Sequence, residues 1–345
     1  MSKRTVQTDA LWSRRLKGDP IPWLLEKEDP GARYLALRDV LGIAAEDREL
    51  HLARRQAHAH GPIAAVLDKM DRSGYWVQPG PGYGPKYRST VWSLILLAQL
   101  GARVEEDRRI AKATGYYLDN ALLEGGQISS SSGPGGTVDC LQGNMLWALT
   151  ELGCEQERLR PAVEWTARSV TGEGISPASE KDAPRRYYAS KCGPTFACGA
   201  NNKKPCAWGG VKVMLALAVL LGRKPPLVRR AISQGAEFLL DGNPAKAGYP
   251  NGWASRPSGN WWKFGFPVFY VTDLLQNAEA LAAAGFSRDP RLRQAVDLIC
   301  EKQDDSARWN LEYDYRGKTW VNFGAKGKPN KWVTIRALRV LKATV

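Results

Sequence analysis

"GGVKVMLALAVLLG", residues 209–222, is apolar on nearly every side of a helix, and only Lys212 interrupts it. A surface helix carries one apolar stripe, so a helix that is apolar all round is covered all round. The pattern recurs along the chain. "ARYLALRDVLGI" starts at Ala32, "STVWSLILLAQLGA" at Ser89, "GNMLWALTELGC" at Gly143, "FYVTDLLQNAEALAAAGF" at Phe269 and "WVTIRALRVLKA" at Trp332. Successive copies lie roughly 60 residues apart, a period that fits stacked helical units. Several copies are followed by an amphipathic segment. The clearest is "DPRLRQAVDLICEKQ", with Leu292, Val296, Ile299 and Cys300 on one face. One unit therefore reads as a buried inner helix, a turn and a half-exposed outer helix.

The chain has 345 residues, 43% of them apolar and 24% charged, as in an ordinary globular protein. No apolar run is long enough to span a membrane. "MSKRTVQTDALWSRR" lacks the apolar core of a secretory signal, so a cytoplasmic location is expected. The formal charge of +14 points to an anionic partner or to a basic surface that only keeps the protein soluble. The Lys and Arg residues are spread along the chain, and no basic stripe with interleaved aromatics marks a nucleic-acid face. Nucleic acid is a possible partner that the pattern does not favour.

Two stretches carry a family resemblance. In "RQAVDLICEKQDDSARW" (293–309), Gln303 and Trp309 fit a Gln…Gly-x-Trp repeat, with Ala307 in place of Gly. In "AAVLDKMDRSGYW" (64–76), Gly74 and Trp76 fit, with Met70 in place of Gln. The pattern resembles that of the terpenoid cyclase/protein prenyltransferase superfamily, the squalene cyclase-like proteins. The resemblance implies an all-α chain forming an α/α toroid of about six helix pairs. The Gln would cap an outer helix and the Trp would pack on the next repeat. The toroid is expected to take up residues 1–345 as one domain, with 1–30 as an N-terminal extension. A hairpin is expected within 309–323, where Arg316-Gly317 suits a turn.

In such a ring the inner helices start at one mouth. Repeat register places Arg88, Cys140, Cys206, Phe266 and Lys331 there, and the segment with Cys192 and Cys198 crosses the same rim. Helix N-termini favour thiolates. Four thiolates at about 2.3 Å would close a tetrahedral, structural zinc site of Cys140, Cys192, Cys198 and Cys206. Asp139 could replace one of them. The same cysteines also suit inert packing or reactive chemistry. Cys154 and Cys300 read as core.

The resemblance implies a cyclase-like lyase or isomerase, or a transferase, acting on an apolar or isoprenoid substrate that may carry a diphosphate. The chain departs from the family. It has no D-x-D-D acid motif, and its only histidines, His51, His58 and His60, lie far from the expected mouth. The acid best placed to protonate a substrate is Asp273, which alternatively is satisfied by backbone or by Arg336. Trp147, Trp208, Phe269, Tyr270 and Trp332 are expected to wall the cavity, with Arg88 and Arg336 nearby. Aromatics in these places serve equally as packing wedges. The second functional reading is a non-catalytic, zinc-stabilised protein with a basic mouth for an anionic partner.

Overall fold

The computed structural model describes residues 11–344. The fold is mostly helical and holds no sheet among the described residues, only isolated bridges. Six buried helices alternate with five half-exposed ones. The buried set is α1 (Pro30–Leu35, running on as a wider turn through Ala36–Val40), α3 (Thr90–Gln99), α5 (Asp139–Leu152), α7 (Ala207–Ala218), α9 (Leu274–Leu281) and α11 (Lys331–Ala343). The outer set is α2 (Arg48–Ala59), α4 (Arg108–Ala121), α6 (Gln156–Thr171), α8 (Pro226–Asp241) and α10 (Arg293–Glu301).

The sequence pattern accounts for the two layers. In α3 every residue from Thr90 to Ala98 is buried. Each of Leu94, Ile95, Leu96 and Leu97 contributes about 1.5–3 kcal/mol by leaving water. In α4 the buried positions are Ile110, Ala113, Thr114, Tyr117, Leu118 and Ala121, a single stripe at helical spacing. Each outer helix packs on the inner helix before it. The inner helices pack in chain order, α3 on α5, α5 on α7, α7 on α9 and α9 on α11, and α11 returns to α1. The α5–α7 crossing is the closest. A Cβ on Gly143 would lie 2.4 Å from the backbone of Lys212 and Val213, so only glycine fits there.

The two Gln…Trp-like stretches build the same joint twice. The Trp309 indole donates to the Ile299 carbonyl at the end of α10 (2.7 Å), and its backbone N–H donates to Thr334 Oγ1 on α11 (3.0 Å). Trp76 donates likewise to the Val66 carbonyl (2.8 Å) and to Thr90 Oγ1 on α3 (3.1 Å). Gln303 Nε2 caps α10 through the Cys300 carbonyl (2.9 Å). Gly74 has φ +103°, and Ala307, at the matching position, is held at φ +56°. The joint needs a left-handed residue, which is why glycine belongs to the pattern.

One expectation changes. The hairpin within 309–323 does not form. A turn stands at 316–318, but its flanks make only isolated bridges to residues elsewhere in the chain, Trp309 to Gln303, Asn310 to Pro329 and Tyr313 to Gly265. Of the extension expected over 1–30, residues 1–10 lie outside the described residues. The turn Leu11–Arg15 packs on α11. Lys17 N–H donates to Gln303 Oε1 (2.8 Å), and Gln303 Nε2 donates to the Arg15 carbonyl (2.9 Å). No described helix is long and apolar enough to cross a membrane.

Candidate functional site

The end where the inner helices start is closed at its centre by aromatic rings. Tyr87 stacks on Phe269 (5.5 Å between centroids) and meets Trp92 at 5.0 Å and Tyr315 at 4.4 Å. Phe266 stacks on Trp332 at 5.0 Å, with Phe323 edge-on to both. Phe269 and Trp332, expected to wall a cavity, are therefore parts of this plug. Arg88 lies over the plug's outer edge, 5.4 Å from the Trp320 ring, and donates to the Gly317 carbonyl (3.0 Å).

Asp273 is not a free acid in an apolar chamber. It caps α9 through the Gln276 N–H (2.7 Å) and accepts from the Gly265 N–H (3.2 Å). Arg336 grips both of its oxygens at 2.9 Å, and the two side chains are each 5% exposed. The same guanidinium reaches Glu279 Oε2 at 2.9 Å. A buried guanidinium needs carboxylate partners, and Asp273 supplies one.

Beside the plug lies a pocket of about 330 Å³ whose wall includes Cys140, Cys198, Cys206, Trp208 and Tyr270. Asp139 and Cys140 are the first two residues of α5, and Cys206 is the N-cap of α7. The segment 191–206 crosses between these helix starts. It is closed by Cys206 N–H to the Phe196 carbonyl (2.9 Å) and Cys198 N–H to the Lys204 carbonyl (3.1 Å). Asn201 ties it to the opposite wall. Its Nδ2 donates to the Pro205 and Pro250 carbonyls, and its Oδ1 accepts from the Gly252 N–H. Trp261 and Tyr249 complete the apolar side.

The four thiols meet at this rim but sort into different partnerships. Cys192 Sγ donates to Asp139 Oδ1 (2.9 Å) and lies 3.1 Å from Ser169 Oγ. Burial pushes Asp139 up to about 7, although the hydrogen bond from Cys192 pulls the other way. Burial, then the nearby Asp139 charge, pushes the Cys192 thiol well up. Its side-chain partnership with Cys198 brings Cys206 down to about 7, helped by the Gly209 and Trp208 N–H groups at the start of α7, and the same partnership pushes Cys198 up. Burial raises Cys140, although the nearby Lys212 charge pulls the other way. Behind them Lys212 is 1% exposed, donates to Thr272 Oγ1 and to Gln276 Oε1 (3.3 Å), and is brought down to about 8 by burial.

The expected zinc has no assembled ligand set here. Among the described residues no group of three or more His, Cys, Asp or Glu side chains is placed to hold a metal ion. Cys192 donates instead to Asp139 Oδ1.

A second cavity, of about 600 Å³, opens toward the other ends of the inner helices. Every inner helix contributes to its wall, through Arg38, Gln99, Glu151, Leu215, Glu279 and Arg339 among others. Trp147 and Arg336 line this cavity and not the thiol pocket. In its wall Asp39 pairs with both Arg38 and Arg339. Burial raises Glu279, which Arg336 opposes. The signal for this cavity was present in the sequence. Glu151 and Glu279 interrupt apolar helices near their C-terminal ends, and Arg336 and Arg339 interrupt the last helix in its middle and second half. Asn201 carried no comparable signal, because its role depends on two loops that meet only in space.

In comparisons with known proteins, no family model matches the chain and no curated protein matches it significantly.

Proposed function

We propose that this chain is an α/α toroid whose rim pocket performs thiol chemistry on a small ligand with an apolar or aromatic body. The toroid reading is supported by the chain-order packing of six buried helices and by one cavity lined from all of them. The functional reading is carried by one observation. Three thiols, of Cys140, Cys198 and Cys206, share the wall of a single pocket, and Cys206 is held near neutrality. A thiolate is the nucleophilic form of cysteine, so Cys206 is armed at ordinary pH. Trp208, Trp261 and Tyr249 offer flat apolar surfaces to the ligand body.

The cyclase-like reaction implied by the resemblance needs an unpaired acid above an apolar chamber. The ion pair of Asp273 with Arg336 gives that reaction little support. The thiol reading draws on different residues.

The test is alkylation of the full chain by limiting iodoacetamide, mapped by peptide mass spectrometry across pH. Cys206 should react first, with a half-maximal rate near pH 7. First reaction at Cys154 or Cys300, or a half-point near 9, would overturn the reading. Elemental analysis belongs beside it. About one zinc per chain would return the four thiols to a closed structural site.

A further inference from the structure

We propose that the large cavity at the C-terminal ends of the inner helices binds a protonated alkyl amine, held by Glu151, Trp147 and Asn144 on one face of α5. This site is separate from the thiol pocket and does not depend on the thiol reading.

Asn144, Trp147 and Glu151 are three and four positions apart, so they line up along one side of the helix. All three stand in the cavity wall, and each has a group left unused. Asn144 is 5% exposed, and its Nδ2 donates to the Phe269 carbonyl (3.1 Å). Its Oδ1 has no hydrogen-bond partner among the described residues. Trp147 makes no ring contact among the described residues, so its π face is free. The Glu151 carboxylate forms no hydrogen bond or ion pair among them.

The cations of the wall are already engaged. Arg38 donates to both oxygens of Asp39 and to Tyr34 Oη, although its charge reaches Glu151. Arg339 pairs with Asp39, and Arg336 holds Asp273 and Glu279. Lys342 Nζ donates to the Asp39 and Val40 carbonyls (3.1 and 3.0 Å). The unmatched charge of the wall is therefore the negative charge of Glu151. The last turns or caps of five inner helices also meet the cavity, through Gln99, Glu151, Val219, Ala282 and Ala343. Helix C-termini present partial negative charge and favour a cation.

A carboxylate and an amide oxygen accept hydrogen bonds, so they suit an ammonium with N–H donors. The indole between them attracts the same charge. Leu215, Val219, Val268 and Val340 give the alkyl body an apolar wall. The chain as a whole carries +14, so general surface attraction works against an amine and does not mimic the site.

The experiment is calorimetric titration of the full chain with octylamine, octanol and octanoate at neutral pH. Octylamine should bind saturably, and the other two about tenfold more weakly or worse, because only the amine donates from a charge. Glu151→Gln should weaken octylamine by about tenfold or more, and Trp147→Leu by about threefold to tenfold. Glu151 is half-buried and unpaired, so its substitution strands no partner. Helical circular dichroism checks the fold, and Trp147→Leu becomes the deciding variant if Glu151→Gln loses it. Octanoate binding as tightly as octylamine, no saturable octylamine binding up to about 1 mM, or unchanged octylamine affinity in the deciding variant would each overturn the proposal.

Discussion

Single residues carry the sharpest tests. Asp273→Asn should lower stability by about 3 kcal/mol, because a buried guanidinium loses a charged partner and keeps only Glu279. Urea unfolding would measure it. Unchanged stability with lost activity would instead restore Asp273 as an acid. Among the described residues Tyr117 Oη is buried without a hydrogen-bond partner. Tyr117→Phe should therefore stabilise by about 1 kcal/mol, read as a higher urea midpoint. The pH behaviour has two opposed parts. Asp139 keeps its proton to about 7 in the fold, against 3.8 when exposed, so the fold binds more protons between these values. Its stabilisation is complete below 3.8 and is lost as the pH rises through 7. Cys206 has about 7 in the fold against 9. Its stabilisation is complete above 9 and is lost as the pH falls through 7. In Asp139→Asn the first part disappears. Between about pH 4 and pH 7 its urea midpoint should fall less than that of the natural chain, and parallel curves would refute this.

At the scale of elements, the joint between units is the part to break. Trp309→Phe removes the indole donor to the Ile299 carbonyl at the end of α10. Leaving that buried acceptor unpaired should cost about 1–3 kcal/mol. Trp76→Phe should cost a similar amount at its own joint, since the Val66 carbonyl takes the same bond. Unequal losses would show that only one copy supports the fold. Chemical denaturation of the two variants compares them directly. The pattern of the joint was legible in residues 293–309, including the odd Ala307. Its positive φ was not legible, because alanine carries no such signal and the conformation is imposed by the turn between α10 and α11.

At the scale of the whole molecule, the N-terminal segment closes the contact between the first and last units. Gln303 is held from both sides by Arg15 and Lys17, nearly three hundred residues away in sequence. Removing residues 1–17 should lower the thermal midpoint by about 1–3 °C, as expected for a loss of about 1–2 kcal/mol in a chain this large. Thermal circular dichroism would check it, and an unchanged midpoint would show that the segment only lies on the surface. The rings around Tyr87 gather where the inner helices start, while the cavity lined by Arg38, Glu279 and Arg339 lies toward their other ends.

The alternation of wholly apolar and one-sided helices, and so the two-layered helical body, was written in the sequence by itself. Burial on every side is a property of a dozen neighbouring residues, and any tertiary arrangement has to honour it. Repeat register likewise brought Cys140 and Cys206 to the starts of adjacent inner helices. Only the tertiary structure decided what those residues touch. Asp273 meets Arg336 across 63 positions, Cys192 meets Asp139 across 53, and Asn201 joins two loops about fifty residues apart. Such pairings depend on angstrom-scale distances between side chains on different elements, and no local pattern encodes them. The same holds for the missing hairpin, where Tyr315 packs on Tyr87 and Phe269 and the backbone on either side of the turn bridges to residues elsewhere in the chain.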